Sequence, residues 1–184
     1  MARGEGTRRA VVMAREGMVA TAHPLATSAG LDVLRRGGNA MDAAIAAALV
    51  TGVTLPAMCG LGGDAFLIHY DGRTGEVTAI NGSGIAPQAA SREYFVERGY
   101  EKMPFTGLLS VAVPGAVHAY FTAIERFGTM EPAELFAPAI RYAEEGFPLT
   151  TEGNQTIAAY AEGMSRFPTS AEIYLPGGAP PKPG

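Results

Sequence analysis

A nearly unbroken run of apolar residues at 40–53 is the strongest feature in the hydrophobic pattern of this sequence. The run consists mainly of alanine, isoleucine, leucine and valine, whereas a surface helix would carry a polar face. Asn39 precedes the run and Asp42 follows three residues later, which is the spacing of a capping box at the start of a helix. The pattern therefore predicts a helix that is buried on all sides and forms the centre of a layered core.

Another helix is predicted directly before this one. Thr27 or Ser28 can cap its first turn with a hydroxyl group. The helix should end at Gly37 and Gly38, because a residue without Cβ readily adopts the left-handed conformation that terminates helices. Farther upstream, the short apolar run at 9–14 is interpreted as a strand.

Two runs rich in β-forming residues, 65–70 and 76–80, flank a five-residue turn that contains two glycines. Such runs around such a turn are typical of a β-hairpin. The loop at 81–84 follows, and its glycines allow tight and irregular packing. The sequence therefore predicts a hairpin with a closely packed loop after it.

The second half of the chain is predicted to be mainly helical, because proline, serine or threonine stands at the start of each segment, and Gly128 and Gly146 are predicted to end two of them. The predicted helices are residues 91–98, 114–127, 132–145 and about 153–162, and the segment 108–113 is extended. The helix at 114–127 carries an apolar stripe at helical spacing. This stripe consists of Val117, Tyr120, Phe121 and Ile124.

The last residues, 176–184, are rich in proline and glycine, which build neither a helix nor a central strand. We expect this run to be a truncation point within a larger domain. The predicted elements include many helices but only one clear hairpin. Residues 1–184 are therefore predicted to form part of an α/β (α+β) layered domain that lacks some of its strands.

Composition and charge exclude several classes of function. With 184 residues and 47% hydrophobic content, the chain can bury one sizeable core. Its net charge of −4 is scattered, so no basic patch indicates nucleic acid or an anionic membrane as a partner. The single cysteine excludes an internal disulfide and a cysteine-based zinc site. The apolar runs are too short for a signal peptide or a membrane span, so we expect a cytoplasmic protein.

The glycine-rich stretch at 60–63 raises the alternative of a nucleotide-binding protein. A phosphate loop needs a helix directly after its glycines, because the helix N-terminus supplies N–H groups to the anion. A predicted strand follows here instead, and no Lys-Ser or Lys-Thr pair is present. A tight turn is therefore the better interpretation.

The usual catalytic residue types form no complete set in this chain. Cys59 is interpreted as a small buried hydrophobic residue, and the three histidines share no spacing typical of metal ligands. Thr150 and Thr151 are internal, whereas a threonine nucleophile that uses its own α-amino group as base must be N-terminal. Ser83 lies between two glycines but lacks the strand–turn–helix context of a nucleophile elbow. The histidines are His23, His69 and His118.

The most specific motif of the sequence is GLDVLRRGGNAMDAA at residues 30–44. Together with shorter motifs in the same order over nearly the whole chain, it resembles the opening of the γ-glutamyltransferase (γ-glutamyltranspeptidase) family. The sequence is thus similar to the N-terminal part of the large subunit, in the amidohydrolase-like branch of the family. The other matches lie at residues 18–26, 60–66, 86–87, 113–115, 128–130, 137–140 and 145–147.

This resemblance implies an N-terminal-nucleophile (Ntn) hydrolase with a four-layer αββα sandwich, of which the chain supplies helices and a β-hairpin but not all core strands. Family members are precursors that cleave themselves into a large and a small subunit. The N-terminal threonine of the small subunit attacks an amide, and water or an amino acid resolves the acyl-enzyme. The chain is therefore expected to contain no catalytic residue, no metal site and no organic cofactor.

The resemblance also implies the partners. They are the remainder of the precursor, with the small subunit that carries the threonine, and a small-molecule amide substrate of the kind met in glutathione metabolism. A heterotetramer of two large and two small subunits is the implied assembly. A non-catalytic scaffold or binding module remains the alternative from another functional class.

Ser83 departs from the family pattern. In γ-glutamyltransferases, an arginine four residues before the proline of the Ala-Pro pair holds the α-carboxylate of the γ-glutamyl group. Counting back from Pro87 gives Ser83, which cannot supply a planar, charged, bidentate grip. Arg92 is the nearest alternative cation, but it lies beyond that proline on a predicted helix. The sequence is in this respect more similar to amidohydrolases such as oxamate amidohydrolase and to cephalosporin acylases, and we expect Ser83, Gly82 and Gly84 to line the substrate pocket.

Overall fold

The computed structural model of the protein describes residues 11–184, which contain seven α-helices and one two-stranded antiparallel sheet. None of the helices in this described part is long and apolar enough to cross a membrane. Two short 3₁₀ turns, Leu108–Ser110 and Pro176–Gly178, lie between or after the longer elements. In chain order the elements are α1 (Pro24–Arg35), α2 (Ala40–Thr54), β1 (Ala65–Tyr70), β2 (Val77–Gly82), α3 (Arg92–Val96), α4 (Ala116–Phe127), α5 (Pro132–Glu145), α6 (Thr151–Ser165) and α7 (Pro168–Tyr174).

Helix α2 forms the centre of the fold, as the apolar run predicts. Helices α1, α4 and α5 all pack against it, and only a narrow strip that includes Ala44 is exposed. The predicted capping box is present, because the Asn39 side chain accepts hydrogen bonds from two amides of the first turn and Asp42 accepts one from the Asn39 amide. The largest buried residues of this helix include Ile45, Leu49 and Val50.

Helix α1 begins at Pro24, before the predicted start at Thr27 or Ser28. Its N-cap is His23, whose Nδ1 accepts a hydrogen bond from a backbone amide of the first turn at 3.2 Å. The prediction was wrong because histidine is not among the strongly preferred caps, although a proline at the first position suits a helix start. At the other end, Gly37 has a φ of +92° directly after the helix, as predicted.

The strand predicted at 9–14 is wrong for the residues that the structure describes. Arg9 and Ala10 lie outside the described residues. Val11, Val12 and Met13 are exposed and belong to no strand. A strand needs a neighbouring strand for its backbone hydrogen bonds, and no other strand of residues 11–184 pairs with this run.

The two strands form the predicted hairpin. Ala65 pairs with Gly82 at its open end, and Tyr70 pairs with Val77 beside the turn. Strand β1 has the predicted bounds, whereas β2 is shifted from the predicted 76–80 and extends to Gly82. Both strands contact α4 on one side, and alternate side chains of β1 on the other side are exposed.

Helix α4 presents alanines to the core rather than most of its bulky residues. Of the predicted stripe, Ile124 is buried and Tyr120 is half-buried, but Val117 and Phe121 are exposed. The prediction failed because the size of an apolar side chain does not indicate how closely two elements approach. Alanines allow α4 to lie directly against the hairpin. The buried alanines of α4 are Ala116, Ala119 and Ala123.

The remaining helices follow the predictions in part. Helix α5 has the predicted bounds, and α3 is capped by Ser91 as expected but ends earlier, at Val96. Helix α6 begins at Thr151, before the predicted residue 153, because the Thr150 hydroxyl group caps its first turn by accepting a hydrogen bond from the Gly153 amide. The segment 108–113, predicted as extended, begins with a 3₁₀ turn. Helix α7 was not predicted, because its seven residues contain too little apolar periodicity.

Candidate functional site at the open end of the hairpin

The loop that follows β2 lies beside the residue that precedes β1. Because the strands are antiparallel, the chain enters and leaves the hairpin at the same end. The Gly84 amide donates a hydrogen bond to Asp64 Oδ1 at 2.7 Å, and the Ser83 amide donates one to Asn81 Oδ1 at 2.9 Å. The peptide group between Ser83 and Gly84 is therefore held against the Asp64 carboxylate.

A third segment, immediately before α4, closes the same end of the hairpin. The Gly115 and Ala116 amides both donate to the Gly63 carbonyl oxygen, at 3.2 and 3.0 Å. The Val113 amide donates to the Ile85 carbonyl oxygen at 2.9 Å. The start of α4 is thus joined to the segments on both sides of the hairpin. We call these segments together the hairpin junction: residues 63–64, 82–85 and 112–116.

Three glycines allow the segments of the hairpin junction to approach one another. A Cβ atom at Gly82 would lie 2.8 Å from the Ala65 carbonyl oxygen. A Cβ atom at Gly84 would collide with the Val113 carbonyl oxygen, and one at Gly115 would collide with that of Gly82. None of these three glycines has a positive φ. Close approach of backbones, and not an unusual backbone conformation, therefore requires glycine at these positions.

Ser83 is exposed, and its hydroxyl group forms no hydrogen bond with any residue of the described part of the chain. Asp64 is also exposed, and its carboxylate forms no ion pair within residues 11–184. Arg92, the alternative cation, is the exposed first residue of α3 and donates no hydrogen bond to either side chain. Among the described residues, the charge that is hydrogen-bonded to the Ser83 loop is therefore negative.

Cys59 is exposed, so its interpretation as a buried hydrophobic residue was wrong. It lies in the turn after α2, where its thiol donates a weak hydrogen bond to the Leu55 carbonyl oxygen at 3.7 Å. Desolvation of the sulfur raises the pKa of Cys59, which disfavours the nucleophilic thiolate. No group within residues 11–184 therefore activates this cysteine.

The three histidines are not brought together. His23 is the buried N-cap of α1, and burial lowers its pKa. The His69 ring stacks on Phe127 with a centroid distance of 4.2 Å, and His118 is exposed on α4. Within residues 11–184, no group of three or more histidine, cysteine, aspartate or glutamate side chains could hold a metal ion.

The structure argues against the nucleotide-binding alternative. The glycine stretch at 60–63 leads into strand β1 and not into a helix. Gly63 instead offers its carbonyl oxygen as an acceptor for the two amides at the start of α4. A turn with this orientation supplies an acceptor where a phosphate would need donors.

Asp42, from the longest of the family-like motifs, is fully buried. Burial by itself would raise the pKa of this carboxyl group, but hydrogen bonds from Thr129, Asn39 and Met130 outweigh it and hold the pKa below the ordinary aspartate value. The aspartate of this motif therefore joins α2 to the loop before α5 through its hydrogen bonds. Asp42 has a structural role here.

Asp64 was not recognised as a site residue from the sequence. The only available signal was its position directly before β1, opposite the end of β2. Without the register of the hairpin, that position does not indicate which loop the carboxylate contacts. The contact with Gly84 is a property of the folded chain.

Comparisons with known proteins support the fold. The glutathione hydrolase proenzyme of Bacillus subtilis (strain 168) is 39% identical over 178 residues, which are 95% of this chain but 30% of that protein. The crystal structure of cephalosporin acylase from Bacillus halodurans matches with a TM-score of 0.92 at 38% identity, over 100% of this chain and 35% of that one. The Helicobacter pylori γ-glutamyltranspeptidase structure matches with a TM-score of 0.89 at 28% identity, over 95% of this chain and 51% of that one.

The chain therefore spans about a third of the length of the curated relative and of the acylase. These structural matches confirm the predicted Ntn-hydrolase fold class. The chain corresponds to only a part of each matched structure. A family model described as Gamma-glutamyltranspeptidase matches residues 26–184. Together with the motifs at 30–44 and 60–66, this match identifies the chain as a member of the γ-glutamyltranspeptidase family of enzymes.

Proposed function

We propose that the chain is the first part of the large subunit of an amidohydrolase or acyltransferase that matures by self-cleavage. The complete protein cleaves an amide bond and transfers the acyl group to water or an amino acid. The nucleophile is the N-terminal threonine of the small subunit, which lies outside residues 1–184, so this chain alone is inactive. The names of similar proteins support the proposal, because they include a hydrolase proenzyme and an acylase.

The observation that carries the proposal is the uncovered face of the hairpin. Phe66, Ile68 and Tyr70 alternate along β1 and are 69%, 79% and 64% exposed. A two-stranded hairpin alone is at best marginally stable in water, and a contiguous apolar face of this kind is typical of an interface. We infer that the remainder of the precursor, including the small subunit, covers this face. Assembly into two large and two small subunits is part of the same proposal.

The proposed chemistry needs no metal or organic cofactor. The threonine hydroxyl oxygen attacks the amide carbon while the α-amino group of the same residue accepts the hydroxyl proton. The C–N bond then breaks, the amine leaves with that proton, and an ester joins the acyl group to the threonine. Water or an amino acid attacks this ester and regenerates the threonine. In this proposal, residues of this chain bind the acyl group and take no part in breaking the C–N bond.

Ser83, Gly82 and Gly84 are the residues of this chain that we propose to line the acyl pocket. An arginine stands at the position of Ser83 in γ-glutamyltransferases according to the family resemblance, and a serine cannot bind a carboxylate with comparable strength. A charge-assisted hydrogen bond of that kind contributes roughly 1.5–3 kcal/mol. An amide that is not a γ-glutamyl amide is therefore a second candidate substrate, in agreement with the similarity to an acylase.

The intact mass of the protein produced from the undisrupted gene tests the proposal. We expect a precursor that converts on incubation into two fragments, the second of which begins with threonine. Substitution of that threonine by alanine should leave one uncleaved species that hydrolyses no amide. A wild-type protein that stays a single species and hydrolyses no amide would overturn the enzyme proposal and favour a non-catalytic scaffold or binding module.

A further inference from the structure

The Asp64 carboxylate lies against the peptide group that joins Ser83 to Gly84. Its Oδ1 accepts a hydrogen bond from the Gly84 amide at 2.7 Å. The contact connects residues that are 20 positions apart, because antiparallel pairing brings both ends of the hairpin together. Asp64 therefore contacts the Ser83 loop directly and places a carboxylate beside it.

The charge of Asp64 is not neutralised by any side chain of the described residues. The ion pairs within residues 11–184 involve other carboxylates, namely those of Asp32, Asp71, Glu134 and Glu162. The Gly84 amide occupies one acceptor site, whereas a carboxylate offers about four. The second oxygen accepts no hydrogen bond from any residue of this part of the chain. Asp64 thus retains the capacity to bind a donor or a cation next to Ser83.

We propose that Asp64 sets the charge preference of the acyl pocket, so that the enzyme favours acyl groups with an ammonium group and disfavours acyl groups with a carboxylate. This inference rests on the proposed function. A serine in place of an arginine removes a positive charge, and the adjacent aspartate adds a negative one. An anionic acyl group therefore meets repulsion at this position, whereas a cationic acyl group gains a charge-assisted hydrogen bond.

Asp64 also positions the loop, and the two roles can be separated by substitution. Asp64→Asn keeps a side-chain oxygen that can accept from the Gly84 amide but removes the charge. Asp64→Ala removes both. A purely structural role predicts that the alanine variant weakens the hydrolysis of all substrates equally and that the asparagine variant changes little.

The test uses the complete, processed enzyme with four p-nitroanilides that differ only in the charges of the acyl group. They are 4-aminobutyryl (ammonium only), glutaryl (carboxylate only), γ-glutamyl (both) and butyryl (neither) p-nitroanilide. The quantity measured is kcat/KM for each. We expect the wild-type enzyme to prefer the 4-aminobutyryl over the glutaryl compound by roughly tenfold or more, which is the scale of one charge-assisted contact.

The Asp64→Asn variant should reduce this preference by roughly tenfold, mainly through KM, while kcat/KM for the neutral butyryl compound stays nearly constant. The matched control is Asp71→Asn, which removes an aspartate charge at the turn, the opposite end of the hairpin, and should leave the preference unchanged. A wild-type enzyme that prefers the glutaryl compound, or a preference unaffected by Asp64→Asn, would overturn the inference. A precursor that cleaves itself normally but does not hydrolyse the 4-aminobutyryl compound would also overturn the inference. A precursor that does not cleave itself at all would overturn the proposed function as well.

Discussion

Asp42 and Thr129 are joined by side-chain and backbone hydrogen bonds across 87 residues of sequence. The Thr129 hydroxyl group donates to Asp42 Oδ2 at 2.6 Å, and the Thr129 amide donates to Oδ1 at 3.0 Å. The Met130 and Asn39 amides donate to the same carboxylate, and Asn39 Nδ2 donates to the Phe127 carbonyl oxygen at 2.6 Å. The first turn of α2 is thus attached to the loop between α4 and α5.

Replacement of this carboxylate should destabilise the complete protein. Asp42→Asn keeps the shape of the side chain but removes its charge and turns an NH₂ group toward backbone amides. We expect a loss of about 3 kcal/mol in the free energy of unfolding, measured by urea denaturation. Asp32→Asn, which breaks a surface ion pair with Arg35, is the matched control and should cost less than about 1 kcal/mol. Equal effects of the two substitutions would contradict the structural role of Asp42.

The stabilisation by Asp42 should depend on pH in the acidic range. Its folded-state pKa is lowered, so the unfolded chain binds a proton at a higher pH than the folded chain does. The stabilisation is therefore complete above the ordinary aspartate pKa of about 3.9 and is lost as the pH falls through and below it. Unfolding free energies of the wild type and of Asp42→Asn, measured from pH 6 downwards, should converge at low pH. A constant difference between them would show that the charge of Asp42 is not involved.

His23 should contribute a different pH dependence. Its Nδ1 accepts a hydrogen bond from the Leu25 amide, so the proton of the neutral ring is on Nε2, which is buried and has no hydrogen-bond partner among residues 11–184. Burial lowers the folded-state pKa, so only the unfolded chain takes up a proton just below about pH 6.5. Stability should therefore decrease as the pH falls below that value.

The substitution His23→Asn tests this expectation, because asparagine can still cap α1 but does not titrate. It should flatten the dependence of the unfolding free energy on pH between about 5 and 7, where a lone histidine titrates. The control is His118→Asn on the exposed face of α4, which leaves His23 in place and should retain the decrease in stability below about pH 6.5. Retention of the full pH dependence in the His23→Asn variant would contradict the assignment.

The hairpin junction should not tolerate a methyl group at Gly84. Gly84→Ala places a Cβ atom against the Val113 carbonyl oxygen and separates two segments that are hydrogen-bonded to each other. We expect a loss of about 2 kcal/mol or more, with reduced amide hydrolysis by the complete protein. Gly62→Ala is the matched control, because its Cβ atom would meet no atom within 4 Å, and it should change stability by less than about 0.5 kcal/mol. Similar stabilities of the two variants would refute the packing role of Gly84.

Substitution of Ser83 by arginine should increase activity towards γ-glutamyl amides. The introduced guanidinium group can bind a substrate carboxylate, but it can also pair with the neighbouring Asp64. The double variant Ser83→Arg with Asp64→Asn should therefore gain more than the single variant, by roughly tenfold in kcat/KM for γ-glutamyl-p-nitroanilide. An absence of gain in both variants would mean that the acyl group does not reach position 83.

Local signals predicted several elements correctly, and their success has a common cause. The capping box of Asn39 and Asp42, the glycine turn of the hairpin and the proline at the start of α5 act on residues close in sequence. The bounds of β1 and α5 follow from such signals alone. Where local signals compete, as at His23 against Thr27 and Ser28, propensity favoured the hydroxyl residues and the start of α1 was misplaced.

The buried face of α4 and the exposure of Cys59 were not predictable in the same way. Both depend on which element of the fold packs against these residues. The local sequence pattern contains no information on how closely that element approaches. The alanines of α4 are buried because Gly82 and Ala119 allow the helix and hairpin to touch. Bulky Val117 and Phe121 remain exposed in this part of the protein.

The central apolar helix, the hairpin and, through its motifs, the family could be predicted from the amino-acid sequence, because these features are encoded by residues close to one another along the chain. The proposal that Ser83 lines the acyl pocket also came from a motif. The contact of Asp64 with the Ser83–Gly84 peptide and that of Asp42 with Thr129 became evident only from the folded chain. Such contacts depend on strand register and helix packing, in which a shift of one residue would place each carboxylate against a different partner.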